Sequence, residues 1–192
     1  MIDNFKIIQD FWSSQESSQN SDQFLFGQIM VRKKDGTGNV KSNNKIIKDL
    51  VFQSPEDFDT KKDEMISLCK AVGGRIYVNP NPRSFHAIAI EVAKTCLDHI
   101  QQGTEHCVRS AFATACGKIK PLGSAWVIDL DDLNTEYHVQ GLIERHTKVS
   151  LRVPTVNGCH LITYGFDLRE LRAEYPEVDI HKNNPTLLYT DI

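Results

Sequence analysis

The chain has 192 residues, 40% of them hydrophobic, enough to bury one sizeable core with a smaller appended module. A formal net charge of -3 leaves no global basic field for gripping nucleic acid or a membrane surface, although a local basic groove is still compatible with it. No apolar run approaches membrane-spanning length and no signal-peptide pattern is visible, so a soluble, cytoplasmic protein with no membrane partner is expected.

In chain order, "IDNFKIIQDFW" (2–12) reads as a short amphipathic helix, and "SSQESSQNSDQ" after it as a polar linker, so 1–23 is set apart as helix plus linker. "FLFGQIMVRKK" and "KIIKDLVF" read as two strands of a hairpin around the turn-rich "DGTGNVKSNN". Ser54, Pro55 and an acidic first turn open a helix that Gly73-Gly74 closes. "RIYVNP" is a short strand. From Phe85, apolar residues at 88, 89, 92, 93, 96, 97 and 100 make a helical stripe ending before Gly103, and 104–118 is read as more helix than strand.

The last third alternates more clearly. "AWVIDLD" is a strand, "TEYHVQGLIERH" a helix, "VSLRVPT" and "CHLITYGF" strands joined through an Asn-Gly hairpin signal, "DLRELRAEY" a helix, and "VDI" a final strand that Pro185 divides from "TLLYT". The expected fold class is α+β. Residues 24–192 form one domain, with an N-terminal αβ module over 24–120 and a ferredoxin/RRM-like βαββαβ half over 121–192.

Strand alternation puts Asp129 and Asp131 on one sheet face and Ile128 and Leu130 on the other; His160 goes with Ile162 and Tyr164, and Asp179 with His181. In this topology both helices cover one face and leave the other free. Asp129, Asp131 and Asp179 then converge on the free face, where the carboxylates repel each other unless a divalent cation, magnesium or manganese, lies between them. Asp132 reads equally well as a helix cap.

"VIDLDD", "TVNGCHLI" and "VDIHKNN" resemble, in order, the three motifs of archaeo-eukaryotic-type primases and primase-polymerases. "GGRIYVNPNPRS" is similar to the segment preceding the acidic motif in primase-polymerases. The resemblance covers about residues 73 to 190 and is that of a minimal catalytic core of the kind carried by phages and mobile elements. It implies template-directed nucleotidyl transfer in DNA replication, with nucleoside triphosphates, a single-stranded DNA template and other replication proteins as partners. Asp129, Asp131 and Asp179 would hold the metal ions, His160 would meet the nucleotide's phosphates, and Thr155, Asn157, Arg83 and Lys182 would add nucleotide contacts. Thr155 and Val156 depart from the second motif, where a serine and a basic residue often precede the G-x-H.

Other readings stand beside this one. A nucleic-acid or nucleotide-binding module of the same fold without catalysis would stack bases on Tyr77, Tyr164 or Tyr189, and a metal-free protein–protein adaptor is a further rival. "KKDG" at 33–36 matches the K-x-D-G of nucleotidyltransferase ligases, a weak signal that an ordinary turn also explains. Lys41, Lys45 and Lys48 are potential backbone contacts or plain surface lysines. His99, His106, Cys107 and Cys116 fit no familiar zinc spacing, and the five cysteines are read as reduced thiols.

Overall fold

The structure is a computed structural model and describes residues 1–15, 20–35 and 44–191. The linker at 16–19, the hairpin loop with Lys41, and Gly36 of "KKDG" lie outside the described residues. The chain is a mixed α+β protein built on two antiparallel sheets. The first has the order β1-β10-β4-β2-β3: β1 (Ile2–Asp3), β2 (Gln23–Arg32), β3 (Asn44–Phe52), β4 (Arg75–Val78) and β10 (Thr186–Thr190), with the two-residue β5 (Arg83–Ser84) pairing β2. The second has the order β7-β8-β6-β9: β6 (Ala125–Leu130), β7 (Val149–Pro154), β8 (Cys159–Tyr164) and β9 (Asp179–His181).

Helices α1 (Phe5–Ser13) and α2 (Glu56–Val72) cover one face of the first sheet. Phe5, Ile8 and Trp12 of α1 are buried with Leu25, Ile29, Phe52, Phe58 and Ile76. The N-terminal helix is therefore part of the main core and not an appendage. Gly73 adopts a left-handed conformation (φ 60°) at the end of α2, and its N–H donates back to Lys70 O, the C-cap that the Gly-Gly pair announces. On the opposite face, α3 (Phe85–Gln101) and α4 (Ala111–Lys118) pack over Phe24 and Phe26. The α3 stripe is buried less than its sequence predicts. Ile88 is closed off, while Leu97 and Ile100 are 59% and 56% exposed, because the helix overhangs the small cluster beneath it.

The second sheet carries α5 (Leu133–Glu144) and α6 (Arg169–Glu174) on the side of Ile128, Leu130, Cys159 and Leu161. Its other side is not free, contrary to the sequence expectation. Ala125, Val127, Val153 and Ile162 enter the same core as the first sheet. The reason lies in the last strand. After β9 the chain leaves the second sheet within four residues, and "TLLYT" pairs antiparallel with β4 and β1 of the first. The boundary expected at residue 121 is thus crossed by β10.

Buried asparagines join the sheets. Asn81 acts as a strand neighbour of Ala125, accepting its N–H at 2.7 Å and donating to its carbonyl at 2.8 Å. Asn79 donates to Asn183 O at 3.0 Å, and Asn4 donates to both Pro154 O and Leu187 O at 2.9 Å. Asn81→Ala strips the Ala125 backbone groups of these partners in a dry setting, so unfolding free energy should fall by about 2 kcal/mol or more in denaturant titration. Burial pushes the thiols of Cys69, Cys116 and Cys159 up to about 11, whereas Cys96 and Cys107 are half-buried. Thiol labelling of the folded protein at neutral pH should modify Cys96 and Cys107 first and reach the other three only on unfolding.

Candidate active-site cleft

The alternation along β6 sets the acids. Ile128 and Leu130 point into the helix-covered core, so Asp129 and Asp131 point the other way, into a cleft of about 360 Å³ between the two sheets. Met30, Arg32, Arg75 and Tyr77 come from the first sheet; Val127, Asp129, Asp131, His160 and His181 come from the second; Thr155, Val156 and Asn157 close one end.

Asp129 lies at the middle of a cross-strand row, opposite His160 on β8 and Asp179 on β9. The His160 ring is buried and held from both sides. Nδ1 is 2.8 Å from the Thr186 hydroxyl, and Nε2 is 3.3 Å from Asp129 Oδ1. A ring protonated on Nε2 suits both contacts, with that proton facing the carboxylate and the Thr186 hydroxyl donating to Nδ1. Thr186 belongs to β10, so the first sheet fixes a histidine of the second.

The loop before His160 forms the expected hairpin for a different reason. Asn157 and Gly158 do not have positive φ, so this is not the Asn-Gly turn geometry. Thr155 and Gly158 exchange hydrogen bonds instead, Thr155 N–H to Gly158 O and Gly158 N–H to Thr155 Oγ1. Gly158 is required by contact: a Cβ there would lie 1.8 Å from Leu130 O and 3.1 Å from Asp131 Cα. The backbone bearing the acids is pressed directly against this glycine.

Other expected residues are placed differently. Asp179 is exposed and is not among the residues lining the main cleft; it lines a smaller adjoining hollow with Asp129, Asp131, Asp132 and Glu177. Asp132 caps α5, accepting the Asn134 N–H at 2.9 Å. Lys182 does not face the cleft: one residue beyond β9, its ammonium lies over the Trp126 ring at 4.9 Å, and Trp126 alternates away from Val127 and Asp129. Arg83 is also outside the cleft, 3% exposed under α4, where Nη1 donates to Ile119 O. Of the tyrosines, Tyr77 lines the cleft, Tyr164 is exposed away from it and Tyr189 is buried. Lys48 pairs with Glu64, and Lys33 of the ligase-like motif is exposed beside Asp35, which is spent on Arg75.

Sequence reading named Tyr77 only as a base-stacking candidate and missed Arg32, Arg75 and His181 of this cleft, and Thr186 as the partner of His160. Asp35 holds Arg75 in a two-point pair at 2.9 and 2.6 Å, while Arg32 donates to the Tyr77 hydroxyl at 3.1 Å and has no carboxylate partner among the described residues. The period-2 pattern of β2 and β4 carries Arg32, Arg75 and Tyr77 on one face, a signal present in "GQIMVR" and "RIYV". The cleft thus sets an acidic wall against a cationic one.

Among the described residues, no three His, Cys, Asp or Glu side chains are grouped closely enough to surround an ion. The donors that are present still suit one. Asp131 and Asp179 have no ion pair among the described residues, and directly opposed residues such as Asp129 and Asp179 hold their Cβ atoms about 4.5–5.5 Å apart. Hard oxygens in this number, completed by substrate phosphates and water, are what magnesium takes. Gly158→Ala should displace the Asp131 backbone, lowering stability by about 2 kcal/mol or more and moving the His160 ring resonances in NMR spectra. Unchanged spectra and stability would disprove the contact. No protein-family model, curated protein or solved structure matches the chain.

Proposed function

We propose that the chain is a small primase or primase-polymerase that carries out metal-dependent, template-directed nucleotidyl transfer. The observation behind this is the Asp129–His160 pair at the floor of a cleft with Asp131 alongside and, opposite, Arg32, which has no carboxylate partner among the described residues. The strand order β7-β8-β6-β9 with α5 and α6 on one side supports the finer reading of this sheet as a ferredoxin/RRM-like unit. Nucleoside triphosphates, a single-stranded DNA template and other replication proteins are the proposed partners, and the cytoplasm the proposed location.

In this reading a 3'-oxygen attacks the α-phosphorus in line while the bond to pyrophosphate breaks. Asp129, Asp131 and Asp179 would hold magnesium or manganese, which would supply neutralisation of the triphosphate and a more acidic 3'-hydroxyl. Arg32 reaches toward the phosphates from the opposite wall. Thr186 and Asp129 hold His160 still, so that its ring meets the nucleotide without a cost in reorganisation. Thr155 and Asn157 border the same phosphate region.

One observation favours a second reading, nucleotide or nucleic-acid binding without catalysis: Asp179 lines the smaller hollow and is not among the residues lining the cleft. Incorporation on primed and unprimed single-stranded DNA separates the two. Wild type with manganese or magnesium is expected to extend a primer, and Asp129→Ala, Asp131→Ala and Asp179→Ala to lose at least about a hundredfold in rate, as for removal of a charge-stabilising group. His160→Ala should mainly raise KM for the nucleotide. Full activity in Asp129→Ala would refute the site, and extension by no form of the protein under either metal would leave binding alone.

A further inference from the structure

Arg83 has an unusual setting for an arginine. It is 3% exposed, and it lines a cavity of about 250 Å³ between the first sheet and α4, with Gln28, Tyr77, Asn79, Ala113 and Cys116 around it. Nη1 donates to Ile119 O at 2.8 Å; Nε is buried without an acceptor, and no carboxylate pairs with the guanidinium among the described residues. Burial lowers the Arg83 pKa, and the titratable group it senses, the Cys116 thiol, is itself pushed up to about 11 and stays neutral near pH 7. A buried cation without a counter-charge is destabilising unless something anionic compensates it.

The surroundings indicate what that anion is. Tyr77 and Pro185 line both this cavity and the Asp129–His160 cleft, so the two are neighbours along one face of the first sheet. Gln28 and Asn79 add polar edges, and Phe26 an apolar wall. A buried guanidinium whose Nε–H lacks an acceptor, in a small pocket, suits the planar, multi-oxygen geometry of a phosphate. We propose that this cavity is an anion site in which Arg83 receives a phosphate group, separate from any phosphate held at the acidic cleft. The phosphate belongs to a free nucleotide or pyrophosphate, or to the backbone of a strand that continues into the cleft. The site does not depend on catalysis at Asp129.

The test is an NMR titration of the ¹⁵N-labelled Asp129→Ala/Asp131→Ala protein without divalent metal, followed at the Arg83 Nε–H resonance. Inorganic pyrophosphate is added first, and a thymidine oligonucleotide lacking terminal phosphates in a second series. A saturable shift with at least one probe is expected, its midpoint raised about tenfold when Ala113→Leu is added, which fills the cavity and leaves Arg83 in place. Arg83→Gln, which lacks that reporter and is followed through the backbone amides of Gln28 and Cys116, should weaken binding to a similar degree, with the rest of its amide spectrum confirming the fold. A shift with pyrophosphate assigns a mobile phosphate, and a shift with the oligonucleotide alone a backbone phosphodiester. No saturable shift with either probe, or equal midpoints with and without the Ala113→Leu substitution, overturns the proposal. So does a shift that returns only when both acids and metal are restored, since the phosphate then lies in the cleft. Because the titrated protein lacks both acids, failure of the polymerase reading leaves this result untouched.

Discussion

Everything about the cleft depends on two sheets being held in one orientation although they share no ladder of backbone hydrogen bonds among the described residues. Apolar packing brings them together, with Val127, Val153 and Ile162 joining Leu188 and Ile76, but such contact is non-directional and tolerates sliding. Asn4, Asn79 and Asn81 remove that freedom. Their amides are buried and paired with backbone groups of the facing sheet or of the segment joining the sheets, so a shift of either sheet would strand polar atoms in a dry interior. The gap left between the sheets then acquires a fixed width and a fixed set of walls.

The acidic pair is oriented by the same logic at a smaller scale. Gly158 lets the β8 chain run against Leu130 and Asp131 at a separation no side chain permits, and the hydroxyl of Thr186 reaches across from the other sheet to the His160 ring. Asp129 is therefore placed by its own strand, by the strand beside it and by a strand of the neighbouring sheet. Arg32 and Arg75 illustrate how partners decide availability. Asp35 neutralises Arg75, whereas Arg32 meets the Tyr77 hydroxyl and no carboxylate among the described residues.

What the sequence makes legible follows from periodicity. Alternation separates Asp129 and Asp131 from Ile128 and Leu130, His160 from Cys159, and Asp179 from Val178 and Ile180, because strand geometry leaves each residue only two directions. Lys182 escapes that rule because the strand has ended before it, and its ammonium lies over the Trp126 ring. Arg83 is expected beside the acids and lies instead under α4, outside their cleft, because sequence alone does not tell a buried guanidinium from one that opens on a cleft. The pairing of β10 with β4 has no local signature, since "TLLYT" would suit an internal strand of either sheet. "NPNP" has the composition of a turn, and yet its two amides bond residues 44 and 104 positions along the chain.

The placement of β10 between β1 and β4 has a consequence for the order in which the molecule can be made. Synthesis runs from the N-terminus, so a ribosome-bound chain ending before residue 186 possesses β1, α1 and β4 without the strand that separates and joins them. Asn4 then lacks the Leu187 and Leu188 carbonyls it binds, and His160 lacks Thr186. The same five residues close the first sheet and bring the Thr186 hydroxyl to His160 of the second. A nascent chain can therefore carry the acids of β6 and Arg32 of β2 and still lack the strand that reaches from the first sheet to His160.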